Sequence, residues 1–220
     1  MKRLKGYLFF ILALCLPPAA ARADSPITST DFYTVYMDQE IVERAASRNV
    51  LDGEIAAYLI DPANPIDVKA AAINALGWKF EGRNNSELFT WYLAAQRGTP
   101  LAEFSYDTLD PGELFSLAYL TVLDDYFNPA PAVPMILAAN RGHAEQSGQR
   151  KPNKKETGGS LTIALVQSLI QGQAAMDGDW CEIWRATERV LDNDSLQQDM
   201  RPAAVDIIVE YMSLYRDDCL

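Results

Sequence analysis

The octet Trp91-Tyr92-Leu93-Ala94-Ala95-Gln96-Arg97-Gly98 returns 44 residues later as Met135-Ile136-Leu137-Ala138-Ala139-Asn140-Arg141-Gly142. The segments ahead of the two octets, which open near Asp67 and Gly112, are offset by 45, so a pair of helices repeats and not a single word. Self-similarity at such a period marks supersecondary units that bury their apolar faces on one another. Weaker echoes follow in 160–174 plus 179–192, where Ile183-Trp184-Arg185-Ala186-Thr187-Glu188-Arg189 holds the same place, and in 200–216.

Between Gly and Pro boundaries, Ala and Leu recur at spacings of three and four, the period of a helix with one apolar face. This spacing predicts helices over 31–47, 53–60, 67–80, 86–97, 100–108, 112–127, 131–141, 160–174, 179–192 and 200–216. Helix starts are marked at Asp67, at Thr99 before Pro100, and at Asp110-Pro111-Gly112-Glu113, which sets a cap, a first-turn proline and an acid three residues on. No alternating run of Val, Ile and Thr points to a sheet. The expected fold is all-α, an α-α superhelix of about four helical hairpins.

The stretch Ala72-Ile73-Asn74-Ala75-Leu76-Gly77-Trp78-Lys79-Phe80-Glu81-Gly82, then Trp91 to Gly98, then Ala102-Glu103-Phe104, resembles a Sel1-like repeat, a relative of the tetratricopeptide repeat. The unit at 68–104 is the fuller match. The one at 112–145 keeps Leu117, Ala138, Ala139 and Gly142 but loses the Leu-Gly and Trp-Tyr pairs. A two-helix HEAT unit competes, because Asp67 to Ala72 suits its second helix. The resemblance implies a right-handed superhelix that holds a segment of another protein on its concave face.

The same residues have a physical reading of their own. Gly77, Ala94 and Ala95 are small where the helices of a hairpin come close, as are Ala138 and Ala139 in the second unit. Phe80, Trp91 and Tyr92 are expected to fill the seams between hairpins, and Leu76 belongs to the same repeat scaffold. Gly82, Gly98 and Gly142 are expected to end helices. All of these are scaffold roles, and none is catalytic.

The N-terminus reads as an export signal: a basic start, an uncharged Gly6–Leu16, then Ala21-Arg22-Ala23 as a cleavage site before Asp24. A lipid anchor at Cys15 is the rival reading, weakened by the bulky Leu14 before it. Taking Lys2, Arg3, Lys5 and Arg22 from the 19 basic residues leaves 15 against 30 acids, a formal charge of −15. That field repels phosphate backbones and argues against nucleic acid as the partner. Nothing after the signal is long and apolar enough to insert in a membrane. Cys181 and Cys219 then remain, and in an exported chain without CxxC they are expected to form a disulfide.

Chemistry-bearing motifs are sparse. His143, the single histidine, heads a His-Ala-Glu string with no P-C-x-x-C to follow, so no zinc site is expected. Acid pairs at Asp124-Asp125, Asp177/Asp179, Asp192/Asp194 and Asp217-Asp218 fall at helix ends, where Asp caps and solvates. Gly158-Gly159-Ser160 forms neither a nucleophile elbow nor a phosphate loop, and is expected to be a flexible hinge with Ser160 as N-cap. The segment 142–159 has no aliphatic residue larger than Ala and holds Arg150, Lys151, Lys154 and Lys155, which reads as a flexible basic loop. Its sharper reading is an arm that docks an acidic partner.

The expectation is an exported, non-catalytic protein-binding module spanning 24–220 as one domain, with another protein or peptide as partner and no cofactor or metal. An inhibitor of a toxin, or a hydrolase using carboxylates in an inter-hairpin groove, are the alternatives.

Overall fold

The computed structural model describes residues 25–150 and 158–220, so the expected export signal and Lys151, Lys154 and Lys155 lie outside the described residues. What it describes is largely helical: α1 Glu40–Arg48, α2 Gly53–Ile60, α3 Ile66–Leu76, α4 Asn85–Arg97, α5 Pro111–Asp124, α6 Ala132–Arg150, α7 Leu161–Ala175, α8 Trp180–Leu191 and α9 Pro202–Met212. Short 3-10 turns cover Phe32–Tyr36, Leu101–Glu103, Tyr106–Thr108 and Ser213–Cys219.

Three helices form the centre. In α3 every residue from Val68 to Leu76 is buried, and α5 and α7 are buried on most of their circumference. A helix apolar all round belongs inside a domain. The run Ala70-Ala71-Ala72 leaves small faces on α3 that let α1, α5 and α7 approach. Around this centre, α4 and α6 lie on α5, α8 lies on α7, and α9 packs on the turn Phe32–Tyr36. Starts follow the capping chemistry. Asp110 and Glu113 close a reciprocal box at α5, Ser160 accepts the Ile163 N–H at α7, and Asp179 accepts the Glu182 N–H at α8.

The helix expected over 31–47 is split into a 3-10 turn and α1, and the one over 100–108 shrinks to two 3-10 turns. The helix expected over 67–80 stops at Leu76, because Gly77 takes φ 66°, ψ −177°, a conformation that only glycine adopts freely. Nothing stands within 4 Å of a Cβ placed on Gly77, so its role is conformational and not close packing. Conversely, Gly142 does not end a helix. It sits inside α6, where a Cβ would come within 2.9 Å of Pro111 Cγ, and its bare face lets α6 lie against the start of α5.

α6 therefore runs on to Arg150 through residues expected to be a loop. Gly158-Gly159-Ser160 is not a hinge either: it forms β1, paired in parallel with Leu196–Gln197, β2. A Cβ on Gly158 would lie 3.2 Å from Ser195 Cβ and 3.3 Å from its carbonyl oxygen, so a side chain there would crowd the residue ahead of β2.

The Cys181 and Cys219 sulfurs stand at disulfide distance, with Cα atoms 4.6 Å apart. Closing this loop removes about 4 kcal/mol of unfolded-chain entropy on the chain-entropy account. It ties the C-terminal turn to α8, where Arg216 also lies 4.3 Å over the Trp184 ring and Trp180 contacts Tyr215 at 5.8 Å.

Candidate functional site

The repeat residues that were expected to fill seams instead face outward. Leu76 and Ala94 are buried and Ala139 is buried, while Ala138 is half-buried and Ala95 is exposed. Trp91 is 57% exposed and Phe80 71%, and Tyr92 is exposed as well. The cause is the packing of α4. Among the described residues it lies on α5 and α2, with no extended contact to α3, so the 68–104 unit does not close into a packed hairpin. Gly82 and Gly98 do take positive φ, 78° and 62°, at the bends that carry α4 away.

This leaves an apolar groove of about 640 Å³ on the outside of the molecule. One wall is the α4 face Ser86, Glu87, Thr90 and Trp91, the floor is Leu117 and Thr121 of α5, and the far wall is Pro131, Pro134 and Met135 at the start of α6. Leu101, Phe104 and Tyr106 close one end, with the two rings edge to face at 5.9 Å. The hydroxyls of Thr90 and Thr121 donate to Ser86 and Leu117 carbonyls of their own helices, at 2.9 and 2.7 Å, so both are already bonded. The two threonines thus add little free polarity to a groove that is mainly apolar, with Glu87 at its wall.

Beyond Ser86 and Glu87 the groove continues into a second hollow lined by Phe80, Gly82, Asp124 and Asp125. Phe80 stacks edge to face on Phe127 at 5.5 Å, and Phe127 in turn on Tyr126, which meets Trp78 at 5.2 Å. Phe127 is 63% exposed. The Asp124 carboxylate accepts from the Ser86 N–H and hydroxyl, both at 2.7 Å, and holds the start of α4 to the end of α5. At the other end Arg97 donates to Glu113 Oε2 at 2.5 Å, so α4 is anchored at both ends while its middle overhangs the groove. Exposed acids at Glu87, Glu103 and Asp107 flank it.

Arg150 ends α6, and its three basic companions lie outside the described residues. Of the acid pairs, Asp124 and Asp179 serve helix starts. Asp67, Asp110 and Asp199 share a further cleft, joined there by Lys69 and His143. Among the described residues no cluster of His, Cys, Asp or Glu could hold a metal ion, and no helix is long and apolar enough to cross a membrane.

No family model, no curated protein and no solved structure matches this chain.

Proposed function

We infer that this chain is an exported binding protein whose groove between α4 and α6 takes an apolar segment of another protein, flanked in that partner by Lys or Arg. The observation that carries the reading is the combination of Trp91, Leu101, Phe104, Tyr106 and Met135 around one open groove. Large aromatic side chains with few rotatable bonds are the usual anchors of protein recognition, and an exposed apolar patch of this kind calls for a covering surface. The acids at 87, 103 and 107, on a chain whose formal charge is already −11 with its basic N-terminus, favour a partner with positive charge beside its apolar core. A role in binding and not in catalysis agrees with a groove whose threonine hydroxyls are bonded to their own helices.

The cysteine pair at disulfide distance is compatible with an oxidising compartment, which supports the export reading of residues 1–23. Stacked hairpins of the Sel1-like or tetratricopeptide-like kind are supported by the α5–α6 and α7–α8 pairs, which meet through α6 and α7. The 68–104 unit would then be the divergent one, opened to expose its aromatic face.

Fluorescence anisotropy with labelled apolar peptides flanked by Arg, against the same cores flanked by Glu, tests this. Arg-flanked peptides are expected to bind and to lose about tenfold or more in affinity on Trp91→Ala. Equal binding of both sets, or no effect of Trp91→Ala, would refute the groove.

A further inference from the structure

We propose that the polar cleft at the N-terminal ends of α3 and α5 binds a small zwitterion of the α-amino-acid type, its carboxylate on the Lys69 ammonium and its own ammonium toward Asp199 and Asp67. This site is separate from the aromatic groove and does not depend on it.

Lys69 is the only cation in the buried run of α3. It is 3% exposed, yet among the described residues its ammonium has no hydrogen-bond or ion-pair partner. A buried charge ordinarily acquires a partner, because leaving water uncompensated is costly. Burial pushes the Lys69 pKa down, against the pull of Asp110, Asp61 and Glu113. The side chain lines a cleft of about 660 Å³, within the range of small-molecule sites. In front of it stands Gly112, in the first turn of α5, where a Cβ would lie 3.9 Å from Nζ. The same Cβ would stand 3.3 Å from Asp110 Oδ1, so a branched side chain at 112 would crowd both groups.

The first turn of α3 lines the same cleft, and its N-cap, Pro65, contributes no side-chain acceptor to the free N–H groups there. An uncapped helix start and an unpaired ammonium both favour an anionic oxygen at the deep end.

The acids make a simple anion a poor fit. Asp110 is held by its capping bond to the Glu113 N–H at 2.9 Å, and Asp199 by the Thr162 N–H at 3.0 Å and the Thr162 hydroxyl at 3.1 Å. These bonds fix the carboxylates without neutralising them. Asp67 and Asp199 are half-exposed and Asp110 exposed, so the negative groups sit nearer the mouth than Lys69 does. A lone anion meets these acids and a lone cation meets Lys69, whereas a zwitterion satisfies both ends.

The test is calorimetric titration of the folded mature chain with the common α-amino acids, with acetate and methylammonium as single-charge probes. Lys69→Met keeps the apolar stem and removes an unpaired charge, so it is expected to fold and to melt no lower than the wild type. Gly112→Val, which crowds the ammonium and Asp110, is the second variant. The expected result is saturable binding of at least one amino acid, weaker binding of both single-charge probes, and a loss of about tenfold or more in each variant. Absence of binding by every amino acid, undiminished binding in a folded Lys69→Met, or acetate binding as tightly as the best amino acid would each overturn the assignment.

Discussion

The Tyr36 hydroxyl accepts the backbone N–H of Arg201 at 3.0 Å, and the Arg201 guanidinium lies 4.3 Å over the Tyr36 ring, joining positions 165 apart in the chain. The same guanidinium donates to the Val35 carbonyl at 2.6 Å and to the Asp38 carboxylate. The turn Phe32–Tyr36, which packs on α3, is thereby fastened to the start of α9. The hydroxyl is buried and already bonded, so Tyr36→Phe is expected to lower stability by about 1–2 kcal/mol, read from the urea midpoint. Asp38 is held well below the usual carboxylate range chiefly by its bonds to Arg201, so this clasp persists above the unfolded carboxylate range and weakens only in strong acid.

Asn74 is the second junction. Its amide accepts the Tyr33 N–H at 2.9 Å and donates to the Thr30 carbonyl and the Tyr119 hydroxyl at 3.1 and 3.0 Å. One side chain of α3 thus satisfies both the N-terminal segment and α5 inside the core. Asn74→Ala leaves these groups buried and unmatched, and is expected to cost about 3 kcal/mol in equilibrium unfolding.

Two glycines with positive φ should respond differently to the same substitution. Gly98, at φ 62°, ψ 24°, occupies the left-handed region that Asn tolerates, whereas Gly77, at φ 66°, ψ −177°, does not. Gly98→Asn is expected to cost under about 1 kcal/mol and Gly77→Asn about 1–3 kcal/mol. Melting curves of the two variants, compared directly, check this.

Stability should also depend on alkaline pH in a way traceable to Lys69. Its folded pKa is lowered by burial, so between that value and the unfolded value near 10.4 the unfolded chain binds more protons and stability rises with pH. Tyr36 and Tyr119 act oppositely. Burial raises both, so above about pH 10 their contribution is lost as pH climbs. Denaturant midpoints across this range are expected to climb and then fall, and Lys69→Met is expected to flatten the climb while leaving the fall.

Helix content and most starts were legible in the sequence because caps and periodicity are local: Asp110-Pro111-Gly112-Glu113 fixes its own box and Ser160 its own cap. The cysteine pairing followed from reading Cys15 as part of an export signal, which left two candidates. What did not carry over was packing. Trp91 and Phe80 look like seam residues from their spacing, but whether α4 lies on α3 or on α5 is decided by contacts remote in sequence. Gly142 has the spacing of a helix end and the function of a close approach to Pro111, which only the fold supplies. The groove brings Leu101, Tyr106 and Met135 together from three segments, and no local pattern announces that. Lys69 did leave a trace, a lone cation between Val68 and Ala70 at the head of the apolar run of α3, and Asp199 left none.

The central claim is that the outward aromatic face of α4 is a docking surface. A photo-crosslinking residue placed at Trp91 in cells making the full chain, with the same residue at exposed Leu214 in the C-terminal turn as reference, tests it most directly. The account predicts a discrete adduct from position 91 alone, whose crosslinked peptide is an apolar segment bordered by Lys or Arg. Adducts of equal yield at both positions, or a crosslinked segment rich in acidic residues, would contradict it.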